Sequence, residues 1–371
     1  MNTNTLIQNM KRIRGMRQFS QQKLADASGL SIASIKNYES GKTTPKVSAL
    51  SAIAKAMGVG LEELLSPVQT LRSVRFRASK KMRTRADILA DTSRWLHDFN
   101  ELEEALGEHP DFKLNSLIGS KLRPIELAKS CRDTLELGLH EPIYDICGLF
   151  EDAGVKIFSK PVASDGFFGL AVGQQDGGPA IVVNTQEQIA VERRIFTPAH
   201  ELGHLLMHLD AFDACKEEED KEEESEANSF AGHFIMPNTG FHKEWNASAG
   251  LHPVDRVLKV KRIFRVSYKT ILWRLKELGL ADDSIWKNFN IAYKKKYNQS
   301  LAGHKEPFAI IPKRSDEPQS LSLLDFTENR LSLLVRRAIE QEDISLSRGA
   351  EILRISVMEM RQRLVDWGDV A

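Results

Sequence analysis

The stretch VERRIFTPAHELGHLLMH, residues 191–208, decides how the larger part of this 371-residue chain is read. Within it, HELGH sets His200 and His204 four residues apart on one helix face. Both imidazoles can then reach a single zinc ion, while Glu201 between them faces the water that such an ion activates. A catalytic zinc takes a third protein ligand and keeps one position open. Three residues compete for that place. Asp210 lies ten residues after His200, but its route needs a glycine turn where Met207 stands. His208 is two turns from His200, a rise of roughly 11 Å, too far to share the ion, and is expected to support the site from outside. The third is a carboxylate on a second helix, ESEANSFAGHFIMP (224–237), whose buried stripe is Phe230, Ala231 and Phe234. There Glu224 and Asn228 share a face, so that Glu224 can ligate zinc and Asn228 can hydrogen-bond the outer nitrogen of a ligating histidine.

Upstream, runs at 155–158, 167–172 and 180–183 are rich in β-branched and aromatic residues, with GQQDGG (173–178) between the last two. They predict a small antiparallel meander. Its exposed edge is expected to pair with an extended substrate segment. Between the two helices of the site, residues 217–226 carry eight carboxylates and one lysine and read as a solvated loop. Tyr144, His233 and Tyr268 are three candidates for an additional oxyanion donor.

At the amino end, SQQKLADASGLSIASIKNYESG (20–41) reads as helix, turn, helix within five short helices over residues 6–65. Ser20 caps a helix that turns Leu24 and Ala25 inward, Gly29 allows the turn, and Ser31 caps a second helix with Ile35 and Tyr38 inward. Ile32, Ala33, Ser34, Lys36 and Asn37 are left outward with small or polar tips suited to a major groove, and Gln21 is placed to reach a phosphate or base. Lys42, in the following loop, is an expected phosphate contact. Residues 1–66 hold nine Lys/Arg against four Asp/Glu, although the whole chain balances 51 against 51. The basic surplus is therefore local, and it marks the amino end as the nucleic-acid module. Residues 72–85 add seven basic residues and no acid.

Residues 6–65, through QQKLA, the glycine turn, SIxxIKNYESGKTTP and LEELL, resemble the lambda-repressor-like (Xre/Cro) helix-turn-helix family. The resemblance implies duplex operator DNA as partner, usually bound as a homodimer, with Gln21, Ile32, Ala33, Ser34 and Asn37 at the groove. The region from about 144 to 280 resembles the ImmA/IrrE family of zinc metallopeptidases, through VERRIFTPAHELGHLLMH, ExEANxFAxxFIMP, the strands before them and FRVSYKTILWRLKELGL (264–280). It implies a gluzincin-like endopeptidase using Zn2+, whose relatives cleave helix-turn-helix repressors. By motif, His200, His204 and Glu224 are the ligands, with Glu226 the fallback, and Glu201 is the general base.

The expected fold is mainly α, α+β overall: a five-helix DNA-binding domain at 1–66, a basic helical linker at 67–118, a peptidase domain at 119–280 with its small antiparallel sheet, and a helical carboxyl-terminal region at 281–371. Residues 298–319 read as a linker, and 344–367 as another helix-turn-helix, with Ala350, Ile352, Leu353, Ile355, Met358 and Leu364 inward and a dimerisation or docking role. Three widely spaced cysteines suit a reducing compartment, and no stretch reads as a signal peptide or membrane span, so a cytoplasmic protein is expected. The functional expectation is a transcriptional regulator that cleaves a partner repressor or antitoxin. The alternative is a non-proteolytic transcription factor whose peptidase-like domain senses a ligand or partner.

Overall fold

The structure is a computed structural model, and it describes residues 3–17, 19–65, 71–78, 85–163, 166–209, 212, 220–301, 306 and 321–368. The chain divides into two compact units, residues 1–71 with 82–97, and residues 72–81 with 98–371.

The first unit contains α1 (Thr3–Met16), α2 (Gln21–Ser28), α3 (Ile32–Glu39), α4 (Val47–Met57) and α5 (Leu61–Leu65). Leu6, Met10, Ile13, Leu24, Ile35, Leu50, Ile53 and Leu64 form its core. The turn between α2 and α3 forms as the sequence predicts. Ser20 accepts from the Lys23 amide, Gly29 takes φ 68°, and Ser31 accepts from the Ser34 amide. Glycine is favoured at that φ because it lacks the Cβ that makes left-handed backbone costly for other residues.

The second unit begins with β1 (Val74–Ala78), drawn from the basic stretch. A long helix, α6 (Arg85–Leu106), starts in the first unit and its last residues belong to the second. Then follow α7 (Pro124–Thr134), α8 (Ile146–Asp152), β2 (Lys156–Lys160), β3 (Phe167–Val172), β4 (Ala180–Asn184), α9 (Val191–Met207) and α10 (Lys221–Ile235). The remaining helices are α11 (Asn238–Ala247), α12 (Pro253–Phe264), α13 (Tyr268–Glu277), α14 (Ile285–Tyr297), α15 (Arg330–Glu340), α16 (Leu346–Leu353) and α17 (Val357–Gly368).

The sheet departs from the expected three-strand antiparallel meander. Its order is β1-β3-β4-β2; β3 is antiparallel to both neighbours, while β2 lies parallel to β4. Parallel pairing removes the direct β2–β3 hairpin that a meander requires and gives β4 neighbours on both sides, which suits its five buried residues. β3, the middle strand of the expected meander, lies instead between β4 and a fourth strand, β1. Helix α9 packs over β3 and β4, with α10 against its other side and α7 beyond.

The acidic run is not all loop. From Lys221 onward it forms the first turns of α10, where Asp220 caps the Glu222 and Glu223 amides and the acids face the positive end of the helix dipole. Residues 213–219 (which include the start of the run), Asp210 and nearly all of 302–320 lie outside the described residues. In the carboxyl-terminal pair, Ser345 caps α16, Arg354 takes φ 57° and α17 follows, the same spacing as Ser20, Gly29 and α3. Its inward residue on α17 is Met360; Met358, expected inward, is 70% exposed.

Candidate metal centre

Helix α9 carries His200, Glu201 and His204, each fully buried. It is continuous from Ala190 as cap, with Pro198 inside it, so the helix does not restart at Thr197. Thr197 Oγ1 instead donates to the Arg193 carbonyl one turn back, at 2.8 Å. On the sheet side, β3 approaches α9 so closely that a Cβ on Gly169 would sit 2.6 Å from Thr197 Cγ2 and 3.3 Å from Glu201 Oε1.

The two histidine Nε2 atoms lie 3.0 Å apart. Glu224 on α10 meets them, Oε2 at 3.4 Å from His200 Nε2 and Oε1 at 3.3 Å from His204 Nε2. Ligands at about 2.1 Å around a tetrahedral zinc stand about 3.4 Å from one another, so the Glu224 contacts fit such an ion, and the two Nε2 atoms at 3.0 Å would part slightly to hold it. His200, His204 and Glu224 are the one metal-competent group of this kind among the described residues.

The outer histidine nitrogens are engaged in a way that fixes which nitrogen would face an ion. His200 Nδ1 is 3.0 Å from Asn228 Oδ1, an acceptor, so it carries the proton and leaves Nε2 bare. His204 Nδ1 lies 2.8 Å from His208 Nδ1, and His208 Nε2 lies 2.8 Å from Glu226 Oε2. Glu226 accepts from His208 Nε2–H, leaving His208 Nδ1 to accept from His204 Nδ1–H. Glu226 therefore reaches the outermost histidine and not the cluster. Burial, before any other cause, pushes the His204 pKa down to about 2, which keeps the imidazole neutral as a ligand must be.

A cleft of about 1620 Å³ opens beside Glu224 and Asn228, walled by Phe168, Phe196, His233, Tyr268 and Trp273. Of the three oxyanion candidates, His233 and Tyr268 line it. Tyr144 does not: it is 66% exposed and lies against Arg265. His233 is held by Glu277 at 2.9 Å and by the buried Arg274, and burial lowers its pKa.

Arg75 of β1 is the site residue that sequence reasoning missed. Buried, it pairs with Glu223 at 2.5 Å and with Glu224 at 3.1 Å. The alternation in SVRFRA, polar against apolar at period two, was the available signal for a strand there, hidden by the density of positive charge.

In the first unit, Ala33, Lys36 and Lys42 are exposed, Ser34 and Asn37 half-buried. Ile32 leans on the core. Gln21 Nε2 donates to Glu39 at 2.7 Å, beside the Arg14–Glu39 pair at 2.6 Å, so its amide is engaged with this unit's own ion pair.

Family comparison matches residues 150–276 to the peptidase M78 model, described as an IrrE N-terminal-like domain, and residues 10–64 to a helix-turn-helix model. The chain joins a helix-turn-helix domain to a peptidase M78 domain. A search of the curated proteins found no match. The M78 match encloses both α9 and α10, hence every residue of the His-His-Glu group, and it starts after Tyr144. No described helix is long and apolar enough to cross a membrane.

Proposed function

We propose that this is a DNA-binding transcriptional regulator with zinc-dependent endopeptidase activity, which cleaves a partner helix-turn-helix repressor or antitoxin to derepress genes. The observation that carries the reading is the convergence of His200, His204 and Glu224 at 3.0–3.4 Å with Glu201 buried on the same helix. Zinc held by those three residues would polarise the scissile carbonyl and acidify a water. Glu201 takes that water's proton and delivers it to the leaving amine, while Asn228 and the His208–Glu226 pair hold the histidines in their ligating tautomers. Of the candidates for donating to the developing oxyanion, Tyr268 on the cleft wall remains, since His233 gives its Nε2–H to Glu277 and accepts from Arg274. The first unit supplies operator binding through Ala33, Ser34, Asn37 and Lys42, with Ile32 and Gln21 alongside, as a homodimer in the cytoplasm.

Glu201→Gln tests the catalytic half. The variant should bind one zinc per chain as the wild type does, because Glu201 is not a ligand, and should lose proteolysis by at least a hundredfold. The measurement is a comparison of new protein N-termini in cells making either form. Identical profiles would favour the sensor alternative.

A further inference from the structure

The strand nearest the general base is β3, since Gly169 abuts Glu201. Its order in the sheet would make it an edge strand but for β1. The ladder runs Val74 opposite Val172, Arg75 opposite Ala171, Phe76 opposite Leu170 and Arg77 opposite Gly169. Directly paired residues of an antiparallel sheet project to the same face, so Arg75 shares the face of Ala171 and Gly169, the face covered by α9. This is why its guanidinium reaches Glu223 and Glu224. The strand is anchored further by the Arg72 and Ser73 amides, which donate to Asp176, and by Phe76 stacked on Phe167 at 5.1 Å. Its connectivity adds a second point. The chain leaves the helix-turn-helix unit at Leu71 and re-enters it at Met82, so β1 is tethered at both ends to the DNA-binding module.

An extended peptide binds a sheet by taking an open edge. Here the edge beside the base is occupied, and the occupant lays a basic side chain against the carboxylate of the metal group. We propose that β1 is a built-in pseudosubstrate, which fills the docking edge of β3 until it is displaced, and that the true substrate is an extended segment with a basic side chain facing Glu223 and Glu224. The inference rests on the peptidase reading for what the docked segment undergoes, and on the ladder and ion pairs alone for where it docks.

The test uses the full zinc-loaded chain and a fluorescein-labelled peptide of sequence RSVRFRAS. Binding is measured by anisotropy in the Glu201→Gln background, so that nothing is cut. Arg77→Pro opens the edge by removing a ladder amide. Val74→Cys with Val172→Cys closes it on oxidation: the Gly173 amide bonds the Ser73 carbonyl, which makes the next pair a close, non-hydrogen-bonded one suited to a disulfide. The opened chain should bind the peptide at least tenfold more tightly than wild type, the oxidised lock should not bind it, and reduction should restore wild-type behaviour. Replacing the arginine that corresponds to Arg75 by glutamate in the peptide should cost at least tenfold. Equal binding by opened and locked chains, or none by the opened chain, overturns the proposal. With Glu201 intact, hydrolysis of unfolded β-casein should rise at least tenfold on opening and stop on locking. Casein cut equally in both forms overturns the pseudosubstrate and leaves the peptidase standing; peptide binding as expected without any casein cleavage supports the docking edge and overturns the peptidase.

Discussion

Glu224 and Glu226 stand two residues apart on α10, yet they touch different groups, and the proposed roles of ligand and support follow from that difference. Glu224 faces both Nε2 atoms, whereas Glu226 ends the His204–His208 relay. Glu224→Ala should therefore weaken zinc binding by more than a hundredfold, and Glu226→Ala by about tenfold, the usual effect of losing an outer partner. Competition titrations with a chelating dye measure both, and the reverse order would reassign the third ligand. His204 adds a pH prediction for the metal-free protein. Its folded pKa lies far below the ordinary 6.5, so below pH 6.5 the unfolded chain takes up a proton that the folded one refuses, and stability falls with acid. Between pH 7 and pH 5 the stability advantage of wild type over His204→Gln should shrink by up to about 2 kcal/mol, read from urea unfolding in EDTA. An advantage that grows with acid would mean that His204 is charged in the fold.

At the scale of elements, α9 and α10 were legible because their residues repeat at helical spacing and their chemistry at i, i+4. The caps Ser20 and Ser31 and the glycine between them were legible for the same local reason. The sheet was not. Strand partners are fixed by long-range packing, and nothing local in residues 155–183 distinguishes the parallel β2–β4 pair from a hairpin. The strand β1 was hidden because its Arg75 is buried by ion pairs nearly 150 positions along the chain. One local sign of the sheet's approach to the site does exist, in Gly169. Gly169→Ala should cost about 1–3 kcal/mol, because its methyl meets Thr197 Cγ2 at 2.6 Å and the Val182 carbonyl at 2.9 Å, both on elements that cannot give way without moving Glu201. Calorimetric unfolding of the variant checks this, and an unchanged Tm would show that β3 lies farther from α9.

For the whole molecule, the distribution of charge distinguishes the amino-terminal residues from the rest of the chain. The chain is neutral, yet residues 1–66 carry a net +5, and part of the basic stretch that follows is spent on an ion pair beside the metal group and not left for phosphates. Duplex binding should then be driven by the first unit. For the full chain on a mixed-sequence duplex, affinity should fall steeply between 50 and 200 mM salt, since each neutralised phosphate releases counterions into a solution that favours release less as salt rises. Lys42→Ala should weaken all sequences alike and reduce the slope of log K against log salt by about one, as the loss of a single phosphate contact does. Asn37→Ala should leave that slope nearly intact while relaxing base preference by about 1–3 kcal/mol at one position, because a groove-facing amide reads base edges and not the backbone. Fluorescence anisotropy across a salt series measures all three. Salt-insensitive binding would overturn the phosphate contacts altogether, whereas a slope that Arg75→Ala lowers as much as Lys42→Ala does would mean that the basic strand faces DNA and that its pairing with Glu223 and Glu224 is not its resting state.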